Sequence, residues 1–178
     1  MLRTSSIITF SKKIHSENVA NIKPLIKPLI KPLIKPHFEY TLFFDGCSKG
    51  NPGLSGAGAV IYNSENKEIW SGTTFVGVKA TNNQSEYEGL NLGLKKASEM
   101  NIKSLLVKGD SQLVIYQMTG KYKCSSSSLL NLFETAKNLE KKFETIEYNH
   151  ILRHLNKRAD ELSNIALGKF KNEFTNLL

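Results

Sequence analysis

Three strand-type runs follow one another before any helical periodicity begins, and that order restricts what the chain can fold into. "HFEYTLFFDG" alternates and then turns apolar, "AGAVIYN" (Ala57 to Asn63) is a short buried-type run, and "EIWSGTTFV" (Glu68 to Val76) is β-branched and aromatic. Their connections are short, which predicts an antiparallel meander. Next, "NNQSEYEGLNLGLKKASEM" places Tyr87, Leu90, Leu94 and Ala97 at helical spacing, with Asn82 or Asn83 available as N-cap. "IKSLLVKGD" (Ile102 to Asp110) reads as a fourth strand and "SQLVIYQMTG" as a short helix closed by Gly120. A helix opening among serines ("SSSSLLNLFETAKNLEKKF"), a fifth strand ("TIEYNHILR") and a terminal helix ("NKRADELSNIALGKF") complete the order βββαβααβα. A β-helix-β crossover around the first long helix implies an α/β fold. Its mixed sheet has three antiparallel strands, then parallel additions, with helices on its faces.

The chain has 178 residues, enough for one ordinary core. Cys47 and Cys124 lie far apart without metal-ligand spacing, so neither a disulfide framework nor a zinc site is signalled. No apolar run approaches the roughly 18 to 20 residues a membrane span requires, so no membrane partner is expected and a monomer is the default. The formal charge of +8 is concentrated at one end: residues 1 to 37 hold seven Lys/Arg against Glu17, a balance of +6, which leaves +2 for the rest. The folded part must therefore hold an anionic partner by local placement of charge rather than by an overall field.

Four segments are expected. Residues 1–22 are rich in Ser and basic residues, which fits either a mitochondrial transit peptide or a disordered terminus that targets nothing. Without such targeting, the location would be cytoplasmic or nuclear. Residues 23–37 contain "KPLIKPLIKPLIKP", whose recurrent prolines exclude a helix or central strand; this is an extended linker, acting as a spacer or as a basic arm touching phosphates. Residues 38–172 form the single folded domain, and 173–178 a C-terminal tail.

Acids fall at the ends of the predicted elements. Asp45 ends the first strand and Asp110 the fourth, Glu86 lies in the first turn or two of the first helix, and Asp160 lies early in the last one. If the first and fourth strands are parallel neighbours, Asp45 and Asp110 emerge at the same edge, where ligand crevices form. Crowded carboxylates repel unless a cation joins them. Hard divalent ions take oxygen ligands, and a pair of them about 4 Å apart can clamp the attacking and leaving oxygens of a phosphodiester.

"DGCSKGNPG", "TNNQSEYEGL", "GDSQLV" and "HLNKRADELSN" closely resemble, in order and spacing, the four motifs of the type 1 ribonuclease H family, and the resemblance covers roughly Tyr40 to Phe170. It implies the ribonuclease H-like fold and an endonuclease, a hydrolase that cuts the RNA strand of an RNA/DNA hybrid to leave 5′-phosphate and 3′-hydroxyl ends. It also implies that Asp45, Glu86, Asp110 and Asp160 are catalytic and metal-binding, holding two Mg²⁺ ions, with Mn²⁺ as a substitute. Gly46, Asn51, Asn82, Asn83 and Gln112 match positions that touch the hybrid, and Thr81 with Lys79 matches those that grip a DNA-strand phosphate. Amides suit a minor groove because they meet both the 2′-hydroxyl and base-edge acceptors without demanding one sequence. Gly46, Gly50 and Gly53 are expected to let the backbone approach nucleic acid closely.

Two departures are visible. Between Gly120 and Ser128 there is only "KYKCSSS", too short for the basic helical insertion of many bacterial members. The short loop "RHLNKRAD" resembles the archaeal-type branch, in which an Arg takes the place of a mobile catalytic His; Arg153 is the candidate, and His154 is next to it. His150, in the fifth strand, reads as structural. Integrases and transposases share related folds but need DNA-binding segments that are not found here. The remaining alternative is a catalytically weak hybrid-binding module, although all four acids are present.

Overall fold

The computed structural model describes residues 38–175. The expectations for residues 1–22 and 23–37 lie outside the described residues. The elements are β1 (Tyr40–Gly50), β2 (Gly53–Asn63), β3 (Glu68–Ala80), α1 (Asn82–Glu99), β4 (Ser104–Gly109), α2 (Gln112–Met118), α3 (Ser127–Glu140), β5 (Thr145–His150), a 3-10 turn at Arg153–Leu155 and α4 (Lys157–Thr175). The order is the predicted βββαβααβα, with α4 continuing past residue 172 to Thr175.

The five strands form one mixed sheet in the order β3-β2-β1-β4-β5. β1 pairs antiparallel with β2, β2 antiparallel with β3, and β4 runs parallel to both β1 and β5. Alternation along β1 sends Leu42, Phe44 and Gly46 to one face and Asp45 to the other. On the first face, Leu42, Phe44, Ala59, Ile61, Leu105 and Val107 meet Tyr87, Leu90, Leu94 and Ala97 of α1, all without exposed surface. α4 covers the other face with Ala159, Leu162, Ala166 and Leu167. Arg158 ties its start to β3, reaching both oxygens of Glu68 at 3.0 and 3.1 Å and Glu161 at 2.8 Å.

Both helices come within backbone contact of the sheet. A Cβ on Gly46 would lie 2.2 Å from the Glu86 nitrogen, and one on Gly58 would lie 2.5 Å from both the Ser163 nitrogen and the Leu162 Cβ. The close approach permitted by Gly46 is thus to α1, and the residue is buried.

Two local expectations change. β1 does not end at Asp45: it continues to Gly50, because the polar, glycine-rich stretch pairs in register with Gly53 to Ala57 of β2 and forms a hairpin. The N-cap of α1 is Thr81, not Asn82 or Asn83, because Thr81 forms a complete capping box with Gln84. No helix among the described residues is long and apolar enough to cross a membrane.

Candidate active site

The site is built where β4 stops. The last β1/β4 rung is Phe43↔Lys108, so Asp45 and Asp110 stand level, each two residues beyond it. β1 runs on alone along that edge, and its main-chain groups there need partners. The Phe44 carbonyl accepts from Asn156 Nδ2 at 2.8 Å, and the Gly46 N–H donates to Glu86 Oε2 at 3.2 Å. Two side chains therefore continue the ladder that β4 leaves unfinished.

Each carboxylate comes from a different stretch of the chain and has its own partner. Asp45 is 4% exposed, and its Oδ2 accepts from the Ser163 hydroxyl of α4 at 2.7 Å. Glu86 is 6% exposed and also accepts from Asn82 Nδ2 at 3.4 Å. Asp110 Oδ1 accepts from Asn156 Nδ2 at 2.6 Å, and Asp160 Oδ1 accepts from Arg153 at 2.9 Å. Burial, reinforced by Asp110 and Asp160 and opposed by Ser163 and Arg153, pushes the Asp45 carboxyl up to about 7. Burial first, then Asp45 and Asp110, holds Glu86 well above the usual carboxylate range against the Gly46 N–H and Asn82. The four acids thus share one electrostatic neighbourhood with a deficit of positive charge.

That deficit and the all-oxygen donor set fit a hard divalent cation. Among the described residues no three His, Cys, Asp or Glu side chains close into a finished cage. The acids are instead held by Ser163, Asn156, Asn82 and Arg153. Cys47, half-buried nearby, is pushed up by burial and so stays a protonated, poor ligand.

Most of the expected substrate contacts gather at the start of α1. Asn51 Oδ1 accepts from the Asn82 N–H at 3.1 Å, and Thr81 Oγ1 lies 3.3 Å from the Gln84 nitrogen it caps. Asn51, Thr81 and Asn83 line a cleft of about 480 Å³ together with Tyr122, Lys123 and Ser126. Lys79 is exposed two residues before Thr81. Gln112 reaches this cleft indirectly, donating to the Tyr122 hydroxyl at 3.2 Å. Below it, Gln117 accepts from Tyr87 at 2.7 Å and donates to the Lys123 carbonyl, anchoring the short α2–α3 loop.

Across the sheet edge, Arg153 is 79% exposed. His150 Nε2 donates to the Asp110 carbonyl at 3.2 Å. Sequence reasoning did not single out Asn156 or Ser163. Their only local signal is position: Asn156 directly precedes a helix, and Ser163 lies three residues after Asp160.

Known proteins share this fold. A family model described as "Reverse transcriptase-like" matches residues 43–166. The N-terminal RNase H domain of a Mycobacterium tuberculosis protein, solved as a fusion with maltose-binding protein, superposes with a TM-score of 0.72 at 34% identity, covering 77% of this chain and 99% of that one. The RNase H1 crystal structure from the archaeon Halobacterium salinarum gives 0.70 at 35% identity over 73% of this chain and 98% of that one. The chain belongs to the type 1 ribonuclease H family.

Within this ribonuclease H family, LC11-RNase H1, solved in complex with an RNA/DNA hybrid, gives a TM-score of 0.69 at 30% identity, covering 73% of this chain and 97% of that one. Some curated relatives are matched over only part of their length. This chain spans 34% of the bifunctional M. tuberculosis protein, at 37% identity over 123 residues, and 62% of the Halobacterium ribonuclease HI, at 36% over 125. The α2–α3 connection, Thr119 to Ser126, is as short as the sequence implies, too short for a basic helical insertion.

Proposed function

We propose that the chain is an endoribonuclease that hydrolyses the RNA strand of RNA/DNA hybrids with two divalent cations, leaving 5′-phosphate and 3′-hydroxyl ends. The observation that carries this reading is the convergence of Asp45, Glu86, Asp110 and Asp160, from four separate stretches of the chain, at the edge where β4 ends, two of them buried and pushed up chiefly by that burial and then by neighbouring acids. The solved complex of LC11-RNase H1 with an RNA/DNA hybrid supports the choice of substrate.

Asp45 and Asp160 would hold one cation and Asp45, Glu86 and Asp110 the other. Bound Mg²⁺, or Mn²⁺, supplies positive charge that neutralises the phosphodiester and makes a water more acidic. The chain's own groups position the substrate. Asn51, Asn82, Asn83 and Gln112 present amide donors and acceptors to the minor groove, where a 2′-hydroxyl distinguishes RNA from DNA. Thr81 and Lys79 meet a phosphate of the DNA strand. Arg153, largely exposed and paired with Asp160, would guide the product out. Gly46 serves the site through its N–H, which fixes Glu86.

The test uses the full chain with Mg²⁺ and end-labelled RNA/DNA hybrid, double-stranded RNA and double-stranded DNA. Cutting confined to the RNA strand of the hybrid is expected. Hybrid binding without cleavage would instead favour a catalytically weak binding module.

A further inference from the structure

Asn156 is 1% exposed and lies between the 3-10 turn and α4, the place where a helix cap is expected. It does not cap with its side chain. A capping side chain accepts an N–H of the first helical turn, whereas Oδ1 of Asn156 is buried without any partner. Its two N–H groups are both used, one on the Phe44 carbonyl at 2.8 Å and one on Asp110 Oδ1 at 2.6 Å. Its own carbonyl accepts the Asp160 N–H at 3.0 Å. One buried residue thus fastens β1 directly before Asp45, grips Asp110 by its carboxylate and opens the helix turn that carries Asp160. The orphaned acceptor lowers stability, since a buried polar atom without a partner is costly.

We propose that Asn156 is a positioning residue for the metal site, acting through Asp110. A planar NH₂ can bridge a carbonyl and a carboxylate at once. It fixes one Asp110 oxygen, leaves the other for a cation, and holds Asp110 level with Asp45 where no strand pairing does so. An aspartate at 156 would set a carboxylate against a carboxylate, and an alanine would leave both acceptors bare. The inference rests on the reading of the site as a divalent-dependent nuclease.

The test compares full-length wild type, Asn156→Ala and Asn156→Asp. The Mg²⁺ concentration giving half of the cation-induced rise in melting temperature, without substrate, is measured first; kcat and KM on hybrid follow. Removing a group that orients a metal ligand typically costs about 10- to 100-fold in affinity or activity. Both variants are therefore expected to need about tenfold more Mg²⁺ and to lose about tenfold in kcat, with KM for hybrid within about twofold of wild type. A purely structural role would lower the melting temperature and leave the Mg²⁺ midpoint and kcat alone, which overturns the proposal. Wild type that neither responds to Mg²⁺ nor cleaves hybrid overturns the nuclease reading instead. Should the variants not fold, the side-chain amide signals of Asn156 in ¹⁵N-labelled wild type decide: they must shift on adding Mg²⁺ and in Asp110→Asn, and indifference to both overturns the proposal.

Discussion

The guanidinium of Arg153 lies 2.9 Å from Asp160 Oδ1, the one cation paired with any of the four site carboxylates among the described residues. Arg153 is largely in water and Asp160 partly so, and such a pair contributes at most about 1 kcal/mol to stability. Arg153→Ala should therefore melt close to wild type while losing about tenfold or more in kcat, the scale on which positioned charged groups act. Arg153→Lys keeps the charge but not the planar fork, and should fall between. Thermal melts and single-turnover cleavage check this; undiminished cleavage in the alanine variant would remove Arg153 from the reaction.

Asp110→Asn keeps an acceptor for Asn156 Nδ2, so the fold should survive. Cleavage should vanish while hybrid affinity, measured in Ca²⁺ by fluorescence anisotropy, stays within about threefold, because the residues proposed to recognise the hybrid lie away from the cation. An active variant would take Asp110 out of the metal site.

The raised carboxylates give the cation-free protein a particular pH dependence. Asp45 rises from an ordinary 3.8 to about 7 on folding, so between those values the unfolded chain has released a proton that the folded chain retains. Stability from this group is then fully present below about pH 4, declines as pH climbs to about 7, and levels off above; Glu86 acts in the same direction. Melts in EDTA should show this decline in wild type and a weaker one in Asp45→Asn, and Mg²⁺ should offset it near pH 7.5. Identical pH profiles for the two proteins would contradict the buried-charge account.

Gly46→Ala places a methyl 2.2 Å from main-chain atoms of α1, which no rotamer can relieve. A loss of about 3 kcal/mol or more is expected. Gly120, with φ +74 and open space around it, is the control: alanine there should cost only about 1 kcal/mol. Denaturant unfolding of both variants ranks them, and comparable losses would mean that β1 and α1 are packed less tightly than described.

Thr81 has two duties. Its hydroxyl caps α1 through Gln84, and it lines the cleft proposed to hold a DNA-strand phosphate. Thr81→Ser should keep both. Thr81→Ala should lose about 1 kcal/mol of stability and weaken hybrid binding. Binding that is unchanged at matched folded fraction would confine Thr81 to the cap.

The layout of the sheet was legible because its signals are local. Tyr87, Leu90, Leu94 and Ala97 recur at helical spacing and are all fully buried, and the three strand-type runs became β1 to β3. The length of β1 was not legible: Gly46 to Gly50 reads as a loop, and only the register with β2 makes it a strand. The acids could be named because each lies in a recognisable motif. Their supports could not, since Asn156 meets Phe44 across 112 positions and Ser163 meets Asp45 across 118. No window of sequence contains such pairs, and an Asn before a helix looks the same whether it caps the helix or bridges β1 to Asp110.

The glycine contacts bear on the timing of order at the site. Neither the approach of α1 at Gly46 nor that of α4 at Gly58 passes through a rotatable side chain. The offset between the strand carrying Asp45 and the helix carrying Glu86 is therefore fixed by main chain against main chain. The conformational freedom lost in bringing these two acids together is surrendered once, as the chain folds, and need not be lost again at each turnover.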